Sequence, residues 1–486
     1  MADSPLGAER RVAYGAGVRL LGRTLGALFS LVALREATRY FGPVQWGPIT
    51  AALAWFGIFS LLGTPGVAML AMRELAKPDI DVRRTFGRSL AATCLVSIAA
   101  LVPAVVIGTP IYAGKGTTLE IMLVIAAGIP AMALFMTSSA ALAGRGRSDI
   151  RALLDVVSSI FLLVATLVVV HAHLRQLGYA TAYLCYLAVT AVVAVGLTSV
   201  LVPPRLGGSH RRVWTQLRQS LPLGQFDIFA AVYARADSIM LFFIKGSRPV
   251  ALYGVAFQIV TFLFVTPSLL SNALLPDYVS AGGERRRFLA RRGFDVMLTL
   301  ALPLPVFGVV FGRALVVWIA GNRFAPAGTL LAILSGAALL AFLSGYLFQM
   351  AIFSGAEKGL WRAVAALTAV NIASNAVAVT LWSATGAATA MILSEAVGLV
   401  IYWRIYRASL PSPLGRRYPL SVLVAASAFA GLCAVLKAGL HLSSGSGAGI
   451  LPRGAVLFAF YLIIVGFVAA VARRLSSRVS RTLVAD

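Results

Sequence analysis

The stretch GVRLLGRTLGALFSLVAL, Gly17 to Leu34, reads as the inner part of an apolar helix, yet it carries two arginines, Arg19 and Arg23. Counted from Val12, where the apolar run begins, Arg23 stands 11 residues in. At 1.5 Å per residue that is roughly 16 Å, near the middle of a hydrocarbon core ~30 Å thick. A charge at that depth is costly and rare, and it marks a functional position by default. Arg19 is shallower, and its long side chain can reach the headgroups.

The surrounding sequence settles the setting of that helix. Of the 486 residues, 59% are hydrophobic and 12% charged. A water-soluble protein of this size could not cover so much apolar surface with so few charges. Many apolar runs reach the ~20 residues that cross a bilayer as a helix. The chain therefore reads as an all-α polytopic membrane protein. Fourteen spans are expected, with cores at Val12–Leu34, Trp46–Gly66, Leu90–Pro110, Leu119–Ala143, Leu153–His171, Gly178–Val202, Leu221–Ile244, Val250–Leu275, Phe294–Phe311, Ala327–Phe353, Ala363–Leu381, Thr385–Trp403, Pro419–Leu440 and Gly454–Val471. The split between the eleventh and twelfth rests only on the short polar interruption WSAT, Trp382 to Thr385.

Net charge is +25. In a soluble chain that would point to nucleic acid. Here about 29 of the 42 Lys and Arg fall in alternate short loops, against about 9 in the others. This asymmetry is the positive-inside signal. It predicts both termini in the cytoplasm, contacts with anionic membrane lipids and no nucleic-acid partner. The first apolar run is too long for the core of a cleavable signal peptide. The cysteines Cys94, Cys185 and Cys433 lie far apart in apolar runs and suggest neither a disulfide framework nor a metal site.

An internal repeat is visible. FGPVQWGPITAALAW, Phe41 to Trp55, follows the first span, and SRPVALYGVAFQIVT, Ser247 to Thr261, follows the seventh. Each reads Pro-Val, a short gap, aromatic-Gly, then a new apolar helix, and each follows a span that holds arginine. Two six-helix halves of like orientation are expected, a common plan of secondary transporters. The expected organisation is an N-terminal lobe at 1–202, a cytoplasmic linker at 203–220, a C-terminal lobe at 221–407, and two appended helices with a tail at 408–486.

Four motifs now carry a resemblance. RYFGPVQWG, Arg39 to Gly47, resembles the Gly-Pro signature after the first helix of the polysaccharide transporter family, which includes the O-antigen and capsule-repeat flippases of the multidrug/oligosaccharidyl-lipid/polysaccharide exporter superfamily. RADSIMLFF followed by VALYGVAFQI is similar to its seventh and eighth helices. LLPDYVS is similar to the end of the eighth, and IAGNRFAPAG to the outer loop after the ninth. The resemblance covers roughly Val12 to Arg407. The last two helices resemble, in layout only, the extra pair of the related peptidoglycan-precursor flippases. What the family resemblance implies is a flippase of the bacterial inner membrane. It would move a polyprenyl pyrophosphate-linked oligosaccharide by alternating access for cell-surface polysaccharide biosynthesis, with glycan polymerase or ligase proteins as candidate partners.

The residues agree with such a substrate. Arginine suits a pyrophosphate because its planar fork bonds oxygens in pairs and stays charged. Arg19, Arg23 and Arg235, the last in the seventh span, are the expected substrate-binding set in a cavity between the halves. Asp227 and Asp237 of the same span and Glu395 of the twelfth are candidates for a coupling or cavity role. Arg235 and Asp237 stand two apart, about 200° round a helix, so they pair poorly. Asn371 and Asn375 are four apart and read as helix-to-helix hydrogen bonders. There is no catalytic constellation and no P-loop, so no enzyme activity, cofactor or metal is expected. Two other readings stand beside this one. An organic-cation antiporter of the same superfamily would favour acidic and aromatic cavity residues. A scaffold subunit for glycan assembly would need no cavity.

Overall fold

The computed structural model describes residues 5–205, 210–355 and 359–409. The protein is an all-α, polytopic membrane protein. Among the described residues the elements are fourteen α-helices and one 3-10 turn. They are α1 Pro5–Leu62, α2 Val67–Leu75, α3 Val82–Tyr112, α4 Thr117–Ala126, α5 Ile129–Gly144, α6 Ser148–His171, α7 Gln176–Leu201 and α8 His210–Tyr233. Then follow α9 Ala236–Lys245, α10 Ser247–Ser280, α11 Gly283–Ala301, α12 Pro303–Ala320, α13 Ala327–Phe353 and α14 Leu360–Ser409. Eight helical stretches within the described residues are long and apolar enough to cross a membrane, several of them made of two limbs. The thirteenth and fourteenth expected spans lie outside the described residues.

Helices and expected spans differ in number because turns here are tight and bends occur inside spans. α1 holds the first two spans, and it breaks at Gly42, where φ is 68° and ψ is 174°. Only glycine adopts that backbone without strain, and Pro43 then starts the second limb, where its missing N–H is harmless. α14 likewise breaks at Ser383, inside WSAT, with φ at 56° and ψ at −133°. The two limbs there are packed so closely that a Cβ on Gly386 would run into the Ala378 carbonyl. The fourth span is bent between α4 and α5 at Ala127–Gly128, and the ninth between α11 and α12 before Pro303. The seventh is divided between α8 and α9, with Ala234 and Arg235 in the gap. α8 begins at His210, inside the segment expected to be a linker.

The chain forms two compact units. The first takes in residues up to Ala251 together with Val364–Ile372, and the second Leu252–Ala363 with the residues from Ala373 on. In lipid, burying apolar surface offers little drive for helix pairing, so close packing and polar contacts between helices hold each unit. In the first unit, Trp55 Nε1 donates to the Ala104 carbonyl at 3.0 Å, and the Thr93 and Thr137 hydroxyls meet at 2.7 Å. Gln216 Nε2 donates to Ser89 Oγ at 2.8 Å, tying the start of α8 to α3. The two copies of the repeat motif also touch. Gly47 lies so close to the backbone of Ser247 that a Cβ would overlap it. In the second unit, Tyr346 donates its hydroxyl to the Ala290 carbonyl at 2.8 Å, joining α13 to α11.

Candidate functional site

The site is built where α8 stops and α9 starts. Arg235 is the residue before α9, with φ −136° and ψ −12°, outside helical geometry. Ten residues of α9 separate it from Gly246, so Arg235 lies about 15 Å along the helix from that end, near half the hydrocarbon thickness. A broken helix at this depth exposes backbone polar groups, which is tolerated where the chain lines a polar cavity or is covered by protein.

Arg235 packs against the second limb of α1. A Cβ on Gly57 would stand 3.0 Å from its Nε and 3.4 Å from its Cγ, so the glycine makes room for the arginine. The charge of Arg235 is also felt at the phenol of Tyr183. Tyr183 lies edge-on to Phe56, with centroids 6.1 Å apart, and edge-on to Tyr186 at 5.3 Å. The Tyr186 and Ser158 hydroxyls are 3.3 Å apart, and Asp155 is the charged neighbour of Tyr186. Arg235, Tyr183, Tyr186, Ser158 and Asp155 thus bring α7, α6 and the α8–α9 break together inside the first unit.

Arg19 and Arg23 belong to the same unit, on the first limb of α1. Their side chains are outside the described residues, but their register is not. α1 and α6 run side by side: a Cβ on Gly22 would meet Ala152, one on Gly26 would meet Ser159 Oγ, and Ser30 Oγ donates to Ser159 Oγ at 3.4 Å. Arg23 is seven residues before Ser30, so its Cα falls about 20° from Ser30 round the helix. It stands at the level of α6 between Ala152 and Asp155. The three arginines expected to bind substrate therefore fall in one compact unit.

The candidate acids do not gather. Asp227 Oδ2 accepts from the Gly66 N–H at 3.4 Å, where α2 begins. Asp227 on α8 and Arg235 are separated by the break at Ala234–Arg235. Asp237 is buried in the first turn of α9, where Oδ1 accepts from the Ser238 N–H at 2.5 Å and from its hydroxyl at 3.2 Å. Glu395 lies in the second unit. It is buried, and its Oε2 accepts from Ser344 Oγ at 2.7 Å. Among the described residues no group of three or more His, Cys, Asp or Glu could hold a metal ion.

Sequence reasoning passed over Asp155, Tyr183 and Tyr186. Two signals were available. Asp155 is a carboxylate inside the fifth span, and YATAYLCY places tyrosines at 179, 183 and 186, the i, i+4, i+7 pattern of one helix face.

These features define a class before they define a family. The helical fold is that of the transporters of the multidrug/oligosaccharidyl-lipid/polysaccharide superfamily. Lipid II flippase MurJ, in an inward closed conformation, superposes with a TM-score of 0.74 at 11% identity, over 94% of this chain and 98% of that one. An inward-facing multidrug resistance MATE family transporter matches with a TM-score of 0.65 at 15% identity, over 81% and 98%. A MOP superfamily transporter from Pyrococcus furiosus, described as having a binding pocket of reverse polarity, matches at 0.54 and 15%, over 83% and 97%. At these identities the likeness is one of fold. The family follows from sequence: residues 12–277 match the model of the polysaccharide biosynthesis protein family, and the chain belongs to that family. No curated protein matches it in sequence.

Proposed function

We propose that this protein is a flippase that carries a polyprenyl pyrophosphate-linked oligosaccharide across the bacterial inner membrane by alternating access, for assembly of a cell-surface polysaccharide. The observation that carries the reading is Arg235, which stands at the α8–α9 break, is seated against Gly57, and has its charge felt at Tyr183, the ring that meets Tyr186. A guanidinium there offers an anion two parallel N–H bonds in surroundings of low dielectric, where each bond counts for more than in water. Arg19 and Arg23 complete the basic set in the same unit. The family membership and the MurJ-like fold support the reading, and loop charge supports cytoplasmic termini. Anionic headgroups and a glycan polymerase or ligase are the expected partners. Nothing in the chemistry of the set calls for an enzyme or a cofactor.

Driving force need not come from a bound ion. Moving one net negative charge outward gains roughly 2.3 kcal/mol per 100 mV when the interior is negative. Asp227, Asp237 and Glu395 then hold structure, since each already engages a backbone or side-chain donor.

The test is flipping of a fluorescent short-chain prenyl pyrophosphoryl-N-acetylglucosamine in proteoliposomes. Wild type should flip it. Arg235→Ala should stop transport at normal abundance, and Arg235→Lys should restore only part, because an ammonium lacks the planar fork. Full activity of Arg235→Ala sinks the anion-site reading. If the glycolipid stays put while ethidium is moved, the protein is an organic-cation transporter instead.

A further inference from the structure

Tyr179, Tyr183 and Tyr186 share one face of α7, and their rings form a row. Tyr179 and Tyr183 are stacked at 6.4 Å with 24° between planes, and Tyr183 meets Tyr186 edge-on. The two ends of the row differ. At one end Tyr179 is buried against Phe41 and Trp46, in T-shaped contacts of 5.8 and 5.4 Å, beside the Gly42 turn. That end is packing. At the other end Tyr183 and Tyr186 keep accessible surface although helices surround them. The Tyr183 hydroxyl has no hydrogen-bond partner among the described residues, and the Tyr186 hydroxyl has Ser158 at one side and Asp155 near it. Phenylalanine would pack as well without bringing a hydroxyl into the membrane, where an unsatisfied polar group is costly. Two tyrosines that still show surface, next to a guanidinium, suit a polar ligand with a flat apolar side.

We propose that Tyr183 and Tyr186 form a sugar-binding subsite, which takes the pyranose attached to the pyrophosphate. The proposal rests on the reading that Arg235 binds that pyrophosphate. A pyranose ring presents a face of C–H bonds made slightly positive by the ring oxygens, and an aromatic face is negative, so the two stack. The rim of the same sugar carries hydroxyls, which Tyr186, Ser158 and Asp155 can bond as donors or acceptors. The geometry matches the chemistry of the ligand: the first sugar is one phosphate ester away from the anion, and Tyr183 packs on Phe56, the residue next to the Gly57 seat of Arg235. A cationic ligand on the same rings would be repelled by that arginine.

The test uses the full chain in detergent and four probes: farnesyl pyrophosphate, and farnesyl pyrophosphoryl-glucose, -galactose and -N-acetylglucosamine, with affinities from calorimetry. At least one sugar probe should bind wild type roughly tenfold tighter than farnesyl pyrophosphate. Tyr183→Leu and Tyr186→Leu should erase that gain and leave farnesyl pyrophosphate within about twofold of wild type. Tyr183→Phe, which keeps the ring, should keep most of the gain and serves as the folding control. Arg235→Ala should weaken all four probes alike. The subsite is overturned if no sugar adds affinity, if both leucine variants keep the gain, or if they weaken all four probes equally. If wild type does not bind farnesyl pyrophosphate at all, the pyrophosphate reading falls and the subsite with it. If farnesyl pyrophosphate binds through Arg235 and the tyrosine changes leave the sugar gain untouched, the subsite alone is wrong.

Discussion

Arg235 occupies the space that a side chain on Gly57 would need: a Cβ there would approach its Nε to 3.0 Å. The glycine is therefore part of the seat of the arginine, and its effect can be graded. Gly57→Ala asks the guanidinium stem to yield by a few tenths of an ångström and should slow glycolipid flipping only modestly. Gly57→Leu cannot fit without moving Arg235 and should cost transport nearly as much as Arg235→Ala, with abundance maintained. Flipping rates of the two variants in proteoliposomes check this. Equal, near-normal rates would show that Arg235 needs no fixed seat.

The contact between Gly47 and the Ser247 backbone joins the two copies of the repeat motif, and backbone cannot yield as a side chain can. Gly47→Ala should destabilise the protein by about 1–3 kcal/mol or more through overpacking. Gly196 supplies the control, because a Cβ there meets nothing within 4 Å. Gly196→Ala, on the exposed face of α7, should be neutral or slightly stabilising. Thermal unfolding midpoints in detergent measure both.

Ser383 holds a positive φ of 56° in the turn that divides α14. A non-glycine residue there carries strain of about 1–3 kcal/mol, which glycine relieves. Ser383→Gly should raise the thermal midpoint, and a β-branched residue such as valine should lower it sharply. A midpoint unchanged by glycine would mean that the turn backbone differs from this one.

Glu395 and Ser344 are both buried and share a 2.7 Å hydrogen bond between α14 and α13. Ser344→Ala leaves the acid without that donor and should cost about 1–3 kcal/mol. Glu395→Gln keeps the shape and the ability to accept, so it should retain stability and transport if the acid is structural. With potential and pH gradient varied separately in vesicles, collapsing only the potential should slow flipping of the glycolipid. Flipping sustained by the pH gradient alone, and abolished by Glu395→Gln, would instead make this acid the coupling site.

Much of the architecture was legible because lipid imposes one demand on every span. A helix that crosses must be apolar for its length and must satisfy its own backbone. The Gly42–Pro43 break announced itself through residues with narrow backbone preferences, and even the Ser383 break coincides with the short polar run WSAT. The bends at Ala127–Gly128 and before Pro303 did not, since the apolar run continues through them. Nor did the gap at Ala234–Arg235, which divides what reads as one span from Leu221 to Ile244.

By itself the sequence determined that this is an all-α membrane protein, roughly where its helices run, and that arginines sit at depths where charge is expensive. These properties are local: they depend on composition over about twenty residues and on the cost of burying charge in hydrocarbon. Only the tertiary structure decided what those arginines meet. Gly57 and Arg235 are 178 positions apart, Tyr183 and Phe56 127, and Ser30 and Ser159 129. No local pattern encodes such pairings. They arise because helices in lipid pack by shape, small residue against large, and the fit of Gly22 on Ala152 or Gly57 under Arg235 exists only once both helices are in place.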